Sequence, residues 1–513
     1  MHRTQFNRHR RLCCEMLEDR RLLAGITLIT HGFNSGASGW VTSMADAIVK
    51  RAGLSADEPR YLVKVTDPGH TGGALSVTAT QVAGKPPALS PSSEIIVLLD
   101  WSDVAGSGLG GYHRSTVDVA AAVVSELVTP GFLPNLATAP AELPFQLIGH
   151  SRGGSLVGEM AKDLGESGVW VDQVTTLDPH PVAKGPNSPQ PRANWGDAPM
   201  VAWRSVVFWD NYWRTNPNDW LDFTGVHVPG VYNVKLNNSI LSKGGYDYAH
   251  SNVHLWYDGT IDLTATSVQD GASSYSINSH WYGGADPSRA KSGYYFSRLV
   301  NGPRPAAGIS GKDFVGGKGS RTDLPTWSGA VWPDVLNLQA AGSTFTAGQG
   351  VPVHYYYQDV KGGATITFML DADRNPYDAG TMVTIGTPSK VVTHGAIDSK
   401  VYHVTGSLAI PAGVGAGTYY VMAEISDGLG HTRYDYAPTP IVVSAAAGGL
   451  TQGLAAAAAA VYSPAGAIAA LGPADAPGRQ AASIVWANWL APLPPLAQNS
   501  NCSGSLASIY FLA

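Results

Sequence analysis

Short apolar runs and helical faces alternate along the first 300 residues, and this alternation predicts the architecture. Ile26-Thr27-Leu28-Ile29-Thr30 is a compact apolar run. Trp40 to Ala52 repeats apolar positions (Val41, Met44, Ala45, Ile48, Val49) at helical spacing, and Tyr61 to Val65 reads as an edge strand. Glu94 to Trp101 is almost continuously apolar, the pattern of a central parallel strand covered on both faces. Ser115 to Leu127 predicts a helix with Ser115 or Thr116 as its cap. Phe145 to Ile148 follows as a strand, Ser155 to Leu164 as a helix packing through Leu156, Val157, Met160 and Leu164, and Val174 to Leu177 as another strand. Strand and helix in alternation predict an α/β class with a parallel sheet.

The period changes further along. Asn301-Gly302-Pro303-Arg304-Pro305 and the glycines from Gly308 to Gly319 predict a linker. Between Trp332 and Val443 short alternating runs (Val351–Tyr357, Ala364–Leu370, Lys390–Thr393, Val401–Ala409, Thr418–Ile425, Thr432–Tyr436) predict an all-β immunoglobulin-like sandwich. The expected organisation is a basic leader at 1–25, an α/β domain at 26–300, a linker at 301–331, the sandwich at 332–445 and an Ala/Pro-rich tail without a packed core at 446–513. Asp371-Ala372-Asp373-Arg374-Asn375-Pro376 has the spacing of a calcium loop. Pro376 stands where such a loop needs glycine, so the segment reads as a turn.

Composition narrows the function. A net charge of -6 with 14% charged residues gives no basic footprint for nucleic acid. The three cysteines, Cys13, Cys14 and Cys502, all lie outside the expected globular regions, so they supply neither a disulfide framework nor a metal site. No apolar run has the length of a membrane span.

The candidate chemistry centres on Gly149-His150-Ser151-Arg152-Gly153-Gly154, which follows directly on the apolar run Phe145 to Ile148. G-x-S-x-G after a strand is the pattern of a nucleophile elbow, where the chain turns so sharply that flanking Cβ atoms would clash and the serine is lifted above the sheet. His31-Gly32-Phe33 follows the first strand in the same way as an H-G-x loop whose amides point into a site. The amides of Phe33 and Arg152 would then form an oxyanion hole. Downstream, His250 and His254 both offer an imidazole; the run after Ser251 looks helical through Ile261, which puts His250 in the loop before it and His254 one turn inside. His31 reads as a loop anchor, while His113, His150 and His180 are near enough to the same loops to line a site. The aromatics between Asp178 and His250 (Trp195, Trp203, Phe208, Trp209, Tyr212, Trp213, Trp220, Phe223) suit either an apolar substrate pocket or ordinary core.

The segments I-T-H-G-F, L-D-W-S-D-V-A-G-S-G-L-G-G-Y, L-I-G-H-S-R-G-G and T-L-D-P-H-P, in that order, resemble the pancreatic-lipase type of α/β-hydrolase over residues 26–265. The resemblance implies an α/β-hydrolase parallel sheet covered by helices, and an ester or lipid substrate cleaved through an acyl-enzyme without cofactor or metal. It makes Ser151 the nucleophile, Asp178 the triad acid and His250 the base, with Trp256-Tyr257 and Thr260-Ile261 at the family's offsets from the histidine. Arg152 puts a cation where lipases carry an apolar residue, which points to an esterase of open chain length. Leu17-Glu18-Asp19-Arg20-Arg21-Leu22-Leu23 resembles the LEPR-XLL leader of exported bacterial proteins, with Asp19 in place of proline. It implies an extracellular or cell-surface location, with the C-terminal sandwich available for attachment. The alternative is a catalytically silent adhesion or scaffold protein built on a hydrolase-like domain.

Overall fold

A computed structural model describes residues 25–446, apart from 54–56, 90–93, 108–110, 185–192, 216–222, 284–287, 306–320, 326–331, 359–362, 379–381 and 392–400. Met1–Leu450 forms one compact unit; Thr451–Ala513, which holds most of the expected tail, forms a second and lies outside the described residues, as does the leader up to residue 24.

Eight strands make one sheet: β1 (Gly25–Thr30), β2 (Arg60–Thr66), β3 (Ser76–Ala83), β4 (Glu94–Asp100), β5 (Phe145–His150), β6 (Val171–Leu177), β7 (Val206–Trp213) and β8 (Tyr232–Lys235), in the order β3-β2-β4-β1-β5-β6-β7-β8. The innermost strands are deeply buried: β1, β4 and β5 pair side by side in parallel, and β1 and β5 are buried along their whole length. Helices α1 (Trp40–Ala52), α2 (Thr116–Leu127), α3 (Arg152–Glu166), the short α4 (Asn238–Leu241) and α5 (Ala249–Ile261) connect them, with α1 packed on α5 and α2 on α3. Ser115 caps α2, its side chain accepting from the Asp118 amide at 3.0 Å. A hairpin, β9 (Ser267–Asp270) and β10 (Ser273–Ser276), follows α5.

The elements of the described C-terminal residues are all strands: β11 (Asp334–Ala340), β12 (Thr344–Thr346), β13 (Gly350–Gln358), β14 (Ala364–Asp371), β15 (Val383–Val391), β16 (Tyr402–Ala409), β17 (Gly417–Ser426), β18 (Thr432–Tyr436) and β19 (Ile441–Ser444). They form a three-stranded sheet, β11-β13-β16, and a six-stranded one, β12-β19-β17-β14-β15 with β18 on β17.

This corrects the expected fold class. The large sheet is mixed, because β3 runs antiparallel to β2 and takes the edge that the sequence assigned to residues 61–65. Ser76–Ala83 (SVTATQVA) is small, polar and largely exposed, so it carries no apolar run to announce it. Strand outweighs helix, 36% against 21%, and the layout of an α/β-hydrolase sheet covered by helices is not shown. Nor is an immunoglobulin-like sandwich shown: the C-terminal strands bury an apolar cluster of their own, Val351, Phe368, Leu370, Val421 and Ile425 among it, but Trp332, Met422 and Tyr436 belong to the same cluster as the eight-stranded sheet and its helices. The regular strand spacing predicted a self-contained module. It could not report that one side of β17 and β18 is spent on a neighbouring surface.

Buried polar groups hold this contact. The Arg433 guanidinium is 2% exposed; its Nε donates to Asp334 Oδ1 (3.0 Å), Nη1 to the carbonyls of Ala141 and Leu143, and Nη2 to the carbonyl of Trp170 (3.1 Å). Asp334 Oδ2 accepts from the Trp170 amide at 2.8 Å. One ion pair thus ties β18 and β11 to the loops entering β5 and β6. The described parts of the expected linker are held too, with Arg304 paired to Asp172 at 2.8 Å and Arg204 to Asp323 at 2.8 Å. Removing one member of such a pair leaves a buried charge and three carbonyls unmatched. Arg433→Ala is expected to destabilise Met1–Leu450 by about 3–5 kcal/mol, measured by urea denaturation; a loss below about 1 kcal/mol, the worth of an exposed pair, would show that the contact is peripheral.

Candidate active site

The turn from β5 into α3 is strained at one residue. Ser151 has φ 58° and ψ −127°, a conformation a non-glycine side chain rarely adopts, and it is held there by bonds on both sides: its amide donates to the Leu177 carbonyl (3.0 Å) and its carbonyl accepts from the Gly154 (2.9 Å) and His180 (3.0 Å) amides. A Cβ at Gly149 would collide with the Gly153 carbonyl, so the tight turn requires glycine there. The strand thereby delivers the Ser151 side chain to a cleft of about 420 Å³ lined by Phe33, Trp40, His150, Phe223, Tyr246 and His250, among others. That volume is at the lower end of the roughly 300–1,000 Å³ usual for ligand sites.

Asp178 follows β6 and also has positive φ, 46°. It is fully buried, and its Oδ1 accepts from the amides of Arg214 (3.0 Å) and Gly225 (3.1 Å). The Arg214 guanidinium lies 3.1 Å from Oδ2. Oδ2 also accepts from His250 Nδ1 at 2.7 Å. Burial raises the Asp178 carboxyl to about 6 against the opposing pull of Arg214. Burial, then the neighbouring Arg214 charge, pushes His250 well below the ordinary imidazole value. At neutral pH the pair is therefore a carboxylate and a neutral imidazole protonated on Nδ1, leaving Nε2 with the lone pair a general base needs.

The two histidines that the sequence left in competition are separated by geometry. His250 holds the contact to Asp178. It stands in the first turn of α5, which begins at Ala249, not in a loop before the helix. His254 is one turn on, stacked on Trp40 at 4.2 Å, with Tyr246 against its edge at 5.1 Å. His150 joins them: its Nε2 donates to the His250 carbonyl at 3.0 Å, and burial holds its ring neutral, at about 3. His180 donates through Nδ1 to the Thr224 carbonyl (2.6 Å) and packs on Phe223 at 4.9 Å. His31 anchors its loop as expected from the sequence, with Nδ1 donating to the Gly32 carbonyl at 2.8 Å and Nε2 accepting from the Trp101 amide at 3.2 Å.

The loop that carries one of the two amides expected to hold an oxyanion packs on the turn that carries the other. A Cβ on Gly32 would stand 2.7 Å from Ser151 Cβ and 3.0 Å from the Arg152 nitrogen, so glycine lets the loop carrying Phe33 lie directly on the elbow. The Arg152 charge, by contrast, is not offered to the cleft. Its side chain is 1% exposed and paired to Asp197. The cation that suggested a departure from apolar substrates is thus a buried structural group.

The aromatic segment before His250 divides between the two readings it allowed. Phe208, Trp209 and Tyr212 are buried in β7, and β7 and β8 extend the sheet. Phe223 lines the cleft and meets Phe33 at 6.4 Å, while Trp195 packs on Phe33 at 5.8 Å. Trp220 lies outside the described residues. Arg214 and Asp197 are the residues that sequence reasoning missed. Their only signal was a charge at the end of, or just beyond, an apolar stretch. Among the described residues no group of three or more His, Cys, Asp or Glu is arranged to hold a metal, and no helix is long and apolar enough to cross a membrane. Nitrogen NMR of the imidazoles is expected to show His250 protonated on Nδ1 alone at pH 7, taking its second proton only well below 6.5; an ordinary titration near 6.5 would contradict the assigned pair.

No protein-family model and no curated protein matches the chain. Among solved structures it is similar to Spo0M, a sporulation control protein from Bacillus subtilis, with 12% identity and a TM-score of 0.15 over 22% of this chain and 50% of that one. The match covers half the length of that protein.

Proposed function

We propose that the protein is a serine hydrolase that cleaves carboxylic esters of lipase or esterase type. The observation that carries this reading is the 2.7 Å contact from His250 Nδ1 to Asp178 Oδ2, made beside the strained Ser151 in one cleft. In this mechanism Ser151 Oγ attacks the acyl carbonyl while His250 Nε2 takes its proton. The amides of Phe33 and Arg152 receive the developing oxyanion. His250 then returns the proton to the leaving alcohol, and water, deprotonated by the same imidazole, releases the acyl group. Asp178 stays ionised throughout, holding the tautomer and stabilising the imidazolium. Arg214 and the Gly225 amide keep the carboxylate in place.

The small, partly aromatic cleft favours an ester with a short acyl chain or an aryl group over a bulky triacylglycerol. The resemblance of Leu17–Leu23 to an export leader supports action outside the cytoplasm, with attachment through the C-terminal strands as a role for them.

A fluorophosphonate probe is expected to label the parent protein and not Ser151→Ala. Toward p-nitrophenyl esters, Asp178→Asn should lower kcat on the order of 10⁴-fold, because the amide favours the wrong tautomer. His250→Ala should be similarly severe, whereas His254→Ala should retain activity within roughly tenfold. Absence of labelling in the folded parent would favour a silent scaffold. The pH profile carries a separate sign: the working form is carboxylate plus neutral imidazole, and protonation of either disables it. Activity should hold from neutral pH down to about 6 and fall below it. A midpoint at or above 7 would contradict the buried pair.

A further inference from the structure

We infer that the Arg152 guanidinium is a positioning group for the oxyanion hole, holding the loop of the Phe33 amide against Arg152's own amide; the inference rests on the serine-hydrolase reading above. The side chain is sandwiched between two indoles, Trp101 at 4.9 Å and Trp195 at 4.8 Å from the guanidinium carbon. Each of its nitrogens has an acceptor: Nε donates to Asp197 Oδ2 (2.7 Å), Nη1 to the Ala105 carbonyl (2.6 Å), and Nη2 to Asp197 Oδ1 (2.5 Å) and the Arg114 carbonyl (2.9 Å). Asp197 is satisfied in turn by the Thr116 amide (3.1 Å) and the Val182 amide (2.8 Å).

Both sandwiching rings lead to the other donor. Trp101 Nε1 donates to the His31 carbonyl at 2.9 Å and its amide to His31 Nε2, and His31 Nδ1 donates to the Gly32 carbonyl. On the opposite side Trp195 packs on the Phe33 ring, and Gly106, next to the Ala105 that Arg152 binds, accepts from the Asn34 amide at 3.1 Å. The residues flanking Phe33, Gly32 before it and Asn34 after it, are therefore each fixed by a chain of contacts that ends on the guanidinium. The Arg152 amide is at the other end of the same residue. A buried ion pair is rarely more stable than a well-packed apolar pair, so stability alone gives no reason for arginine here. A planar fork of five donors does give one. It fixes several carbonyls and two ring planes at once, which neither lysine nor an aliphatic chain does.

The test uses the full chain, with Arg152→Lys, which keeps the charge and loses the fork, and Trp195→Leu, which removes one partly buried ring. Steady-state kinetics on p-nitrophenyl butyrate are read together with inhibition by phenylboronic acid, whose tetrahedral adduct on serine occupies the oxyanion site. For Arg152→Lys, kcat should fall roughly 10- to 100-fold. KM should stay within about threefold, and boronate affinity should weaken in step with kcat/KM. Trp195→Leu should shift the same quantities in the same direction by less. A folded Arg152→Lys protein with parental kcat and boronate affinity, and only a lower Tm, would overturn the inference. Should that variant fail to fold, unchanged kcat and boronate affinity in Trp195→Leu would overturn it as well. A parent that hydrolyses no ester would instead overturn the serine-hydrolase reading on which it stands.

Discussion

Everything at the site depends on keeping one carboxylate ionised where water cannot reach it. An isolated charge at the position of Asp178 would be strongly disfavoured, and burial does drive its carboxyl upward to about 6. What keeps it ionised at neutral pH is a set of four donors: the amides of Arg214 and Gly225 on Oδ1, and the Arg214 guanidinium and His250 on Oδ2. They come from three local elements, namely the residue just past β7, the loop before β8 and the first turn of α5. The sheet brings β6 and β7 side by side in register, Leu177 opposite Tyr212, so that Asp178 and Arg214 emerge close together. The large sheet thus creates a charge site that no single segment could sustain.

Strain is concentrated next to that charge. Ser151 and Asp178 both adopt positive φ, and the hydrogen bond from the Ser151 amide to the Leu177 carbonyl joins the two turns directly. Backbone conformations of this kind cost of order 1–3 kcal/mol each and persist only where surrounding structure over-determines them. Here that structure is the glycine-lined contact of the His31–Phe33 loop with the elbow on one side. On the other lies α3, whose first residue plants a fully paired guanidinium between two tryptophans.

Much of this was legible in the chain. The bounds of α1 follow from the spacing of Val41, Met44, Ala45 and Ile48, and the Ser115 cap, β4 and the elbow were all apparent because each is announced locally. Ser151, Asp178 and His250 were singled out through a resemblance of motifs; the structure puts His250 in contact with Asp178 and lines one cleft with Ser151 and His250. What stayed hidden is non-local. β3 is an edge strand of mixed, mostly small residues, none of them buried, and is stabilised by pairing with β2 and not by its own burial. Arg214, Asp197 and Arg433 look like ordinary charges in sequence; their importance comes from hydrogen-bond partners 36, 45 and 290 or more residues away. The expected immunoglobulin-like module failed for the same reason, since Met422 and Tyr436 bury their side chains against residues that no alternation pattern in β17 or β18 could identify.

In the proposed mechanism Ser151 forms a covalent acyl intermediate in the cleft it shares with His250. Mixing the protein rapidly with excess p-nitrophenyl acetate, quenching in acid and mapping the modified peptide by mass spectrometry examines this directly. A burst of p-nitrophenol equal to the enzyme concentration, with one acetyl group on Ser151, is the predicted result. A linear release with no burst and an unmodified serine, or acetylation confined to a surface lysine, would contradict it.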